Sequence, residues 1–171
     1  MKKNFFARDT PIVAKDLLGM ELVRKIGRKT IRTVIIETEA YKGFDDKASH
    51  ASRGKTPRNA PMFGPPGTIY IYLVYGMHYM LNIVTERKEY PAAVLIRGAR
   101  RLDTGKNLDG PGKLTRALKI TCALNNTDIQ SNKGLYLGKR IVSPVKITSA
   151  RRVGVDYAGE WSKKPWRFLL Q

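Results

Sequence analysis

The stretch that most limits the fold is residues 30–41, TIRTVIIETEAY, which is rich in β-branched side chains. Such residues favour a pleated, half-buried strand. Because successive side chains of a strand point to opposite faces, alternation predicts that Ile35, Glu37, Glu39 and Tyr41 share one face. The chain is therefore expected to be built on a sheet, with two carboxylates projecting from one side of a long strand.

Turn signals and apolar runs divide the rest of the chain into short elements. Helices are predicted over residues 10–19, with Thr10 as the cap, and over residues 110–120. Further strands are predicted at residues 22–25, 68–74, 78–85, 92–97, 135–137, 140–142, 145–152 and 167–170. The Gly- and Pro-rich residues 52–67 are predicted to form an ordered or semi-ordered loop. The pattern indicates an α+β fold of one domain, residues 1–171, dominated by a largely antiparallel sheet.

The charge of the chain indicates a polyanionic partner. It holds 32 Lys and Arg against 14 Asp and Glu, a formal net charge of +18. Nucleic acid is the simplest such partner, an anionic membrane surface is the second, and a generally basic protein without chemistry is the third interpretation. The hydrophobic content of 42% is ordinary for a packed globular protein, so global disorder is not expected.

Cysteine content and hydropathy argue against several classes of protein. The single cysteine, Cys122, allows no internal disulfide framework and no metal site built on several thiolates. The two histidines, His50 and His78, add no known metal-ligand spacing. No apolar run reaches 18 residues, and residues 1–9 contain no signal-peptide core. We therefore expect an intracellular, cytoplasmic protein without a membrane-spanning segment and without a metal site built on cysteine and histidine.

Glu37 and Glu39 are the first candidates for chemistry. Two carboxylates on one face repel each other, and partial burial raises the pKa of a carboxyl group. Such a residue can act as a general base. Two other interpretations stay open: a solvated strand end, and a Mg²⁺ site for phosphodiester cleavage that also uses Asp45 and Asp46, since hard cations take oxygen ligands.

Half of the eight tyrosines lie in residues 70–79, within a predicted hairpin. Tyr70 and Tyr72 share a strand face, and Tyr75 falls at the tip. On a basic protein, aromatic rings can stack on unpaired bases, each stack contributing about 1–3 kcal/mol. A bulky side chain at a hairpin tip can also wedge into a base stack. The alternative is that these rings pack in the core.

Three single polar residues complete the candidate site. His50 can stack on a base or donate from its ring or backbone, although a lone histidine also serves structural roles. Asn82 and Arg97 lie on predicted apolar strands, where a buried polar group requires partners, either in a site or as an ordinary satisfied group. A basic face, aromatic side chains and a nearby carboxylate together favour an enzyme that flips a base out of duplex DNA and excises it over a passive binder.

Short motifs occur in a fixed order along essentially the whole chain. They are ETEAY at 37–41, SH at 49–50, TPRN at 56–59, MF at 62–63, PGTIYIY at 66–72, YGM at 75–77, AVLIR at 93–97, GPGKL at 110–114, RVGV at 152–155, AGEW at 158–161 and KP at 164–165. This ordered set closely resembles the alkyladenine (3-methyladenine) DNA glycosylase family. The resemblance implies a curved, open-barrel-like sheet with peripheral helices and a protruding β-hairpin.

The resemblance also implies an activity and its catalytic residues. A family member cleaves the N-glycosidic bond of damaged purines in double-stranded DNA, as a monomer and without a cofactor, and leaves an abasic site for base excision repair. By position, Glu39 matches the general base that activates the attacking water. Arg97 and the backbone carbonyl of Val153 match groups that hold that water. Glu37 is assigned no step.

Further positions match the family's base-binding residues. The residues implied to stack on or contact the flipped base are Tyr41, His50, Tyr72 and Asn82. The His50 backbone amide matches a donor to the base edge, and Asn82 matches the group that crowds the 2-amino group of guanine. Tyr75 matches the residue wedged into the minor groove, and Met77 beside it is expected to enter the DNA with it.

The chain departs from the family pattern in two places. Residues 99–109 are short where the family usually carries a longer, helix-containing segment, which bears on DNA contacts rather than on the pocket. His78 stands where Tyr is common, which bears on lesion preference. Taken from the residues alone, two rival functions stay open: a Mg²⁺-dependent nuclease, and a non-enzymatic module that binds nucleic acid.

Overall fold

The long strand predicted at residues 30–41 is the spine of the sheet. The computed structural model describes residues 4–143 and 146–171, and this strand runs over Lys29–Lys42. The helices and strands, in chain order, are α1 (Thr10–Leu17), β1 (Met20–Ile26), β2 (Lys29–Lys42), β3 (Ile69–Val74), β4 (His78–Val84), β5 (Ala92–Arg101), β6 (Asn107–Asp109), α2 (Pro111–Ala117), β7 (Leu135–Arg140), β8 (Ile147–Ala150) and β9 (Arg167–Leu170). Short 3₁₀ helices lie between them at His50–Arg53, Ala60–Phe63, Cys122–Leu124 and Asp156–Lys163.

The strands form one sheet in the order β3-β4-β5-β2-β1-β7, and neighbouring strands are antiparallel. β5 occupies one edge of β2 along most of its length, while β1 and β9 share the other edge. β6 extends from β5, and β8 pairs with β9. The end strands, β3 and β7, do not pair with each other in the described part of the chain, so the sheet is open. The predicted α+β class with a largely antiparallel sheet is confirmed.

The first helix begins differently from the prediction. Asp9 is the residue before α1 and Thr10 is its first helical residue, so Thr10 is not the cap. The Thr10 hydroxyl instead donates to Oε1 of Glu86 at 2.6 Å. Hydrogen bonding to a distant carboxylate has replaced the local capping bond that the sequence suggested.

Several boundaries also differ in the second half of the chain. Strands are predicted at residues 135–137 and 140–142, but β7 is a single strand that pairs with β1 and ends at Arg140, so residues 141–142 lie outside it. The second helix ends at Ala117, three residues early. Residues 99–109 form a tight β5–β6 hairpin that the sequence did not predict. The strand predicted from residue 145 begins at Ile147; residue 145 itself lies outside the described residues.

Two irregularities in the pairing of β2 with β5 change which side chains share a face. β2 has one extra residue, between Ile35 and Glu37, that has no partner in β5. In β5, Arg97 is the extra residue, and it follows directly on this step of the pairing. Such bulges break the simple alternation of a strand. Ile35 therefore packs in the main core together with Ala40, and its predicted place on the face of Glu37 is wrong.

The main core lies between α1, α2 and the sheet. Val13, Ala14 and Leu17 of α1 are buried in it, and the Thr38 hydroxyl of β2 donates to the Ala14 carbonyl at 2.9 Å. A second, smaller cluster packs beneath the Gly- and Pro-rich segment and consists of Ala51, Met62, Phe63, Tyr70, Val84 and Ala93. No helix in the described residues has the length and apolar character needed to cross a bilayer.

Asn59 holds the Gly- and Pro-rich segment in order. Its buried side-chain amide donates to the carbonyls of His50 and Gly54 at 3.1 and 2.9 Å, and its Oδ1 accepts from the Thr56 N–H at 2.6 Å. Each buried polar atom of the side chain is thus satisfied by backbone. This agrees with the prediction of an ordered or semi-ordered loop, and His50 is fixed at its edge.

Candidate active site

Glu39 is fully buried on β2, and its carboxylate is held by three donors. The backbone N–H of Val153 donates to Oε1 at 2.8 Å. The Tyr41 hydroxyl donates to Oε2 at 2.8 Å, and Nη1 of Arg97 lies 3.5 Å from the same oxygen. Two of these groups come from neighbouring residues of the sheet, and the third comes from the distant 151–155 segment.

Arg97 joins the two glutamates into one network. Its Nε donates to Oε1 of Glu37 at 3.0 Å, while its Nη1 faces Glu39. Arg167 of β9 donates to the same Glu37 oxygen at 2.6 Å. The bulge in β5 places the Arg97 guanidinium between the two carboxylates, and two arginines balance the charge of Glu37.

Burial raises the pKa of the Glu39 carboxyl above its usual range. The positive charge of Arg97, the Val153 N–H and the Tyr41 hydroxyl oppose this rise, and the negative charge of Glu37 adds to it. A carboxylate with a raised pKa has a higher affinity for protons than an exposed one. When ionised, such a group can take a proton from a bound water near neutral pH.

The groups that hold Glu39 also line a cavity of about 330 Å³. Its volume falls in the range usual for small-ligand sites. The residues predicted to bind the base or the water and found in its lining are Tyr41, His50, Tyr72, Asn82, Arg97 and Val153. These positions are spread over more than 110 residues of sequence, and the fold brings them together.

Aromatic side chains form much of this cavity. The rings of His50 and Tyr72 meet edge to face, with centroids 4.3 Å apart. Nδ1 of His50 lies 3.1 Å from the Tyr70 hydroxyl oxygen, which fixes the imidazole plane. Burial, helped by the charge of Arg58, lowers the pKa of His50, so the ring is neutral at pH 7. Burial raises the pKa of Tyr72 to about 12, and its hydroxyl stays protonated.

Asn82 on β4 is buried in the cavity lining with its amide nitrogen fully engaged. Nδ2 donates to the carbonyl of Tyr70 at 3.2 Å and to that of Met80 at 3.0 Å. These bonds fix the orientation of the side chain. Asn82 is therefore a rigid polar group rather than a mobile one.

The predicted hairpin tip projects into solvent. Tyr75 is 89% exposed and Met77 is 66% exposed, which is unusual for large apolar side chains. Tyr75 and Gly76 both have positive φ values, and the Met77 N–H donates to the Val74 carbonyl at 3.1 Å, as in the tight primed turns of hairpins. Tyr75 also reaches the lining of the cavity, whereas Met77 does not.

The acidic residues of the nuclease interpretation do not gather into one cluster. Asp46 is paired with Arg152, and Glu37 and Glu39 face Arg97. Asp45 lines a separate outer groove. Across residues 4–143 and 146–171, no three His, Cys, Asp or Glu side chains are placed to share a metal ion.

Sequence reasoning missed several residues of the site. Arg152 is buried against Tyr41, and Asp46 is its partner. Tyr157 lines the cavity while remaining 72% exposed, and its hydroxyl donates to the Ala48 carbonyl at 3.3 Å. The position of Arg152 directly before Val153 was the only sequence signal for that arginine. The sequence suggested Asp46 only as a Mg²⁺ ligand and not as a partner of Arg152, and Tyr157 carried no local signal.

Comparisons with known proteins agree with this arrangement. The family model described as methylpurine-DNA glycosylase (MPG) matches residues 4–171. A relative from Methanocella arvoryzae is 45% identical over 184 residues, covering 98% of this chain and 90% of its own length. Relatives from Desulfitobacterium hafniense and Borreliella burgdorferi are 42% and 41% identical and cover 99% and 100% of this chain, and 94% and 96% of their own lengths. All three bear the name "Putative 3-methyladenine DNA glycosylase".

The fold and the buried carboxylate thus occur in a chain that matches one enzyme class along nearly its full length. The chain belongs to the methylpurine-DNA glycosylase family. It is a DNA glycosylase of base excision repair, a hydrolase that acts on N-glycosyl bonds, and its substrate is DNA. The interpretation as a glycosylase, made from the ordered motifs, is confirmed.

Proposed function

We propose that this glycosylase excises alkylated purines from duplex DNA after flipping the damaged base into the cavity bounded by Tyr41, His50 and Tyr72. One observation carries the proposal. Glu39 is buried beside that cavity, and its carboxylate is oriented by the Val153 N–H, the Tyr41 hydroxyl and Arg97. A carboxylate held in this way beside an aromatic cavity is suited to activating a water next to a bound base.

Glu39 is the general base in this mechanism. The ionised carboxylate accepts a proton from a water while the oxygen of that water bonds to C1′ of the sugar. The N-glycosidic bond breaks, and the purine leaves with the bonding electron pair. The transition state resembles an oxocarbenium ion, which a nearby negative charge stabilises. Arg97 and Val153 orient the carboxylate and the water.

The cavity favours a positively charged purine. An alkylated purine such as 3-methyladenine carries a positive charge, so the departing electron pair neutralises it and no general acid is needed. Aromatic faces attract cations. The lowered pKa of His50 keeps the imidazole neutral, so the wall does not repel the cationic base. Asn82, locked by its bonds to the Tyr70 and Met80 carbonyls, crowds the 2-amino group of guanine and disfavours the normal base.

The exposed hairpin tip fills the gap that a flipped nucleotide leaves. Tyr75 wedges into the minor groove, and Met77 packs beside it against the bases. Unstacking costs a few kcal/mol per step, and an inserted side chain offsets that cost. The enzyme works as a monomer, with residues 1–171 as a single glycosylase domain, and the net charge of +18 attracts the duplex backbone.

The test measures both possible products on duplex DNA methylated with a labelled reagent, in buffer containing EDTA. The wild-type protein should release free 3-methyladenine and leave strands intact until alkali treatment. Glu39→Gln should lose about 10²- to 10⁴-fold in single-turnover rate, the usual contribution of a general base, while still binding DNA. Near-normal release by Glu39→Gln would remove Glu39 from its role. Strand breaks that EDTA abolishes would point to a nuclease, and binding without product to a passive module.

A further inference from the structure

A buried ion pair, unused by the mechanism above, lies directly behind the cavity. Arg152 and Asp46 are 106 residues apart, and their side chains have no exposed surface. Nη1 of Arg152 donates to Oδ2 of Asp46 at 2.5 Å, and Nη2 donates to Oδ1 at 2.9 Å. A bidentate ion pair of this kind fixes the relative orientation of the two side chains as well as neutralising their charges.

The remaining hydrogen bonds of the pair go to the backbone around the site. Nη1 of Arg152 also donates to the carbonyl of Ala40, between Glu39 and Tyr41, and Nη2 donates to the carbonyl of Trp161. Asp46 accepts from the N–H groups of Lys42 and Ala48. The pair therefore ties the end of β2, the 46–48 turn and the 152–161 segment together at one point.

Arg152 also supports a wall of the cavity. Its guanidinium carbon lies 4.8 Å from the centroid of the Tyr41 ring and 5.2 Å from that of Trp166. Cation–π contacts of this kind hold a ring in place when they are shielded from water. Tyr41 in turn donates from its hydroxyl to Glu39. Arg152 is thus linked to Glu39 in two ways, through its bond to the backbone of Ala40 and through its contact with the Tyr41 ring.

The influence of Arg152 on Glu39 is geometric rather than electrostatic. Asp46 neutralises the guanidinium at hydrogen-bonding distance, and the charges that act on Glu39 are those of Arg97 and Glu37. What Arg152 does control is its own backbone, because its side chain is anchored at four oxygens. The next residue is Val153, whose N–H donates to Oε1 of Glu39.

We propose that Arg152 is a positioning residue of the glycosylase reaction, anchored by Asp46, that holds the Val153 amide on Glu39 and the Tyr41 ring as a wall of the base cavity. The inference rests on the proposed role of Glu39. Lys cannot reproduce the planar, multidentate bonds of Arg, so Arg152→Lys keeps a positive charge and loses the anchor.

The experiment measures the single-turnover rate of 3-methyladenine release as a function of pH, well below the melting temperature of each variant. Arg152→Lys should lose about 100-fold in rate, the cost of misplacing a catalytic group by about 1 Å. The acid limb of its pH–rate profile should move to higher pH, because a weaker hydrogen bond from the Val153 N–H leaves the ionised Glu39 less stabilised. Asp46→Asn should also lower the rate and move the acid limb to higher pH, each by a smaller amount.

Two control variants make the same kinds of substitution at residues away from the cavity. Arg24→Lys alters another arginine that donates to several backbone carbonyls, and Glu21→Gln alters another buried carboxylate paired with an arginine. Both should keep the wild-type rate and acid limb. If Arg152→Lys does not fold, the double variant Asp46→Asn/Arg152→Met replaces it, since removing both partners of a buried pair is tolerated better than removing one.

The outcomes separate the two proposals. An acid limb that moves to higher pH in Arg152→Lys or its double-variant replacement supports the inference, and one that moves to lower pH overturns it. A slower rate with an unmoved acid limb would mean that the variant is only less well folded, and it would overturn the inference. A rate equal to that of the controls would also overturn the inference. Full activity of Glu39→Gln overturns the proposed function and the inference with it. An inactive Glu39→Gln with an unmoved acid limb in the Arg152 variants overturns the inference alone.

Discussion

The backbone N–H of Val153 donates a 2.8 Å hydrogen bond to Oε1 of Glu39, although the two residues are 114 positions apart. Because the donor belongs to the main chain, the bond does not need the half-exposed valine side chain. Val153→Ala should keep the excision rate within about threefold of wild type, as expected for surface truncations. Val153→Pro, which has no N–H, should be severely impaired. Single-turnover release of 3-methyladenine checks both, and a Val153→Ala enzyme as slow as Glu39→Gln would contradict the role of the backbone donor.

The excision rate should fall as pH falls through the pKa of Glu39, since only the ionised carboxylate accepts a proton. Burial raises that pKa, the charge of Arg97 opposes the rise, and the charge of Glu37 adds to it. Arg97→Gln should therefore move the acid limb of the pH–rate profile to higher pH, and Glu37→Gln should move it to lower pH. Acid limbs that coincide in all three proteins would show that another group titrates.

Glu39→Gln should be more stable than the wild-type protein at pH 7.5. A carboxyl group whose pKa is raised by folding costs stability above that pKa, because the folded state disfavours the charged form. Removing the charge should raise the melting temperature by about 2–4 °C if it recovers about 1 kcal/mol. Thermal unfolding checks this, and the gain should shrink at acid pH, where Glu39 itself is protonated. An equal or lower melting temperature at pH 7.5 would argue against a net cost of the charge.

Tyr75→Ser should weaken the preference for damaged over undamaged duplex without changing stability. The side chain is 89% exposed at the hairpin tip, so its removal loses few contacts within the protein. Tyr75→Phe keeps the ring and serves as the matched control. Binding titrations on the two duplexes at fixed salt give the affinity ratio. A ratio unchanged in Tyr75→Ser would count against insertion into the DNA.

Asn59→Ala should destabilise the protein by about 1–3 kcal/mol, because the carbonyls of His50 and Gly54 lose the buried side-chain donor that holds them. Activity should fall as well, since His50 forms part of the cavity lining. The free energy of unfolding in urea gives the first quantity. Asn107→Ala, at an exposed position of β6, is the control and should change neither. Equal stability of both variants would contradict the structural role of Asn59.

Much of the sheet and most of the candidate site followed from local pattern and motif order. The β-branched run predicted β2, and the tyrosine-rich stretch predicted the β3–β4 hairpin with Tyr75 at its tip. Errors arose where distant contacts overrode local preference. Thr10 binds Glu86 instead of capping its helix, and the bulge in β2 turns Ile35 into the core.

The chain by itself determined which residue types were available: a carboxylate on a long strand, aromatic rings in a hairpin, a strong positive charge, and the ordered motifs that identify a glycosylase. The tertiary structure alone decided how they meet. The Val153 amide, the bulged Arg97 and the Arg152–Asp46 pair converge on the Glu39 site from separate segments. A backbone N–H has no side-chain signature, and a pair formed across 106 residues depends on strand register and packing rather than on local sequence.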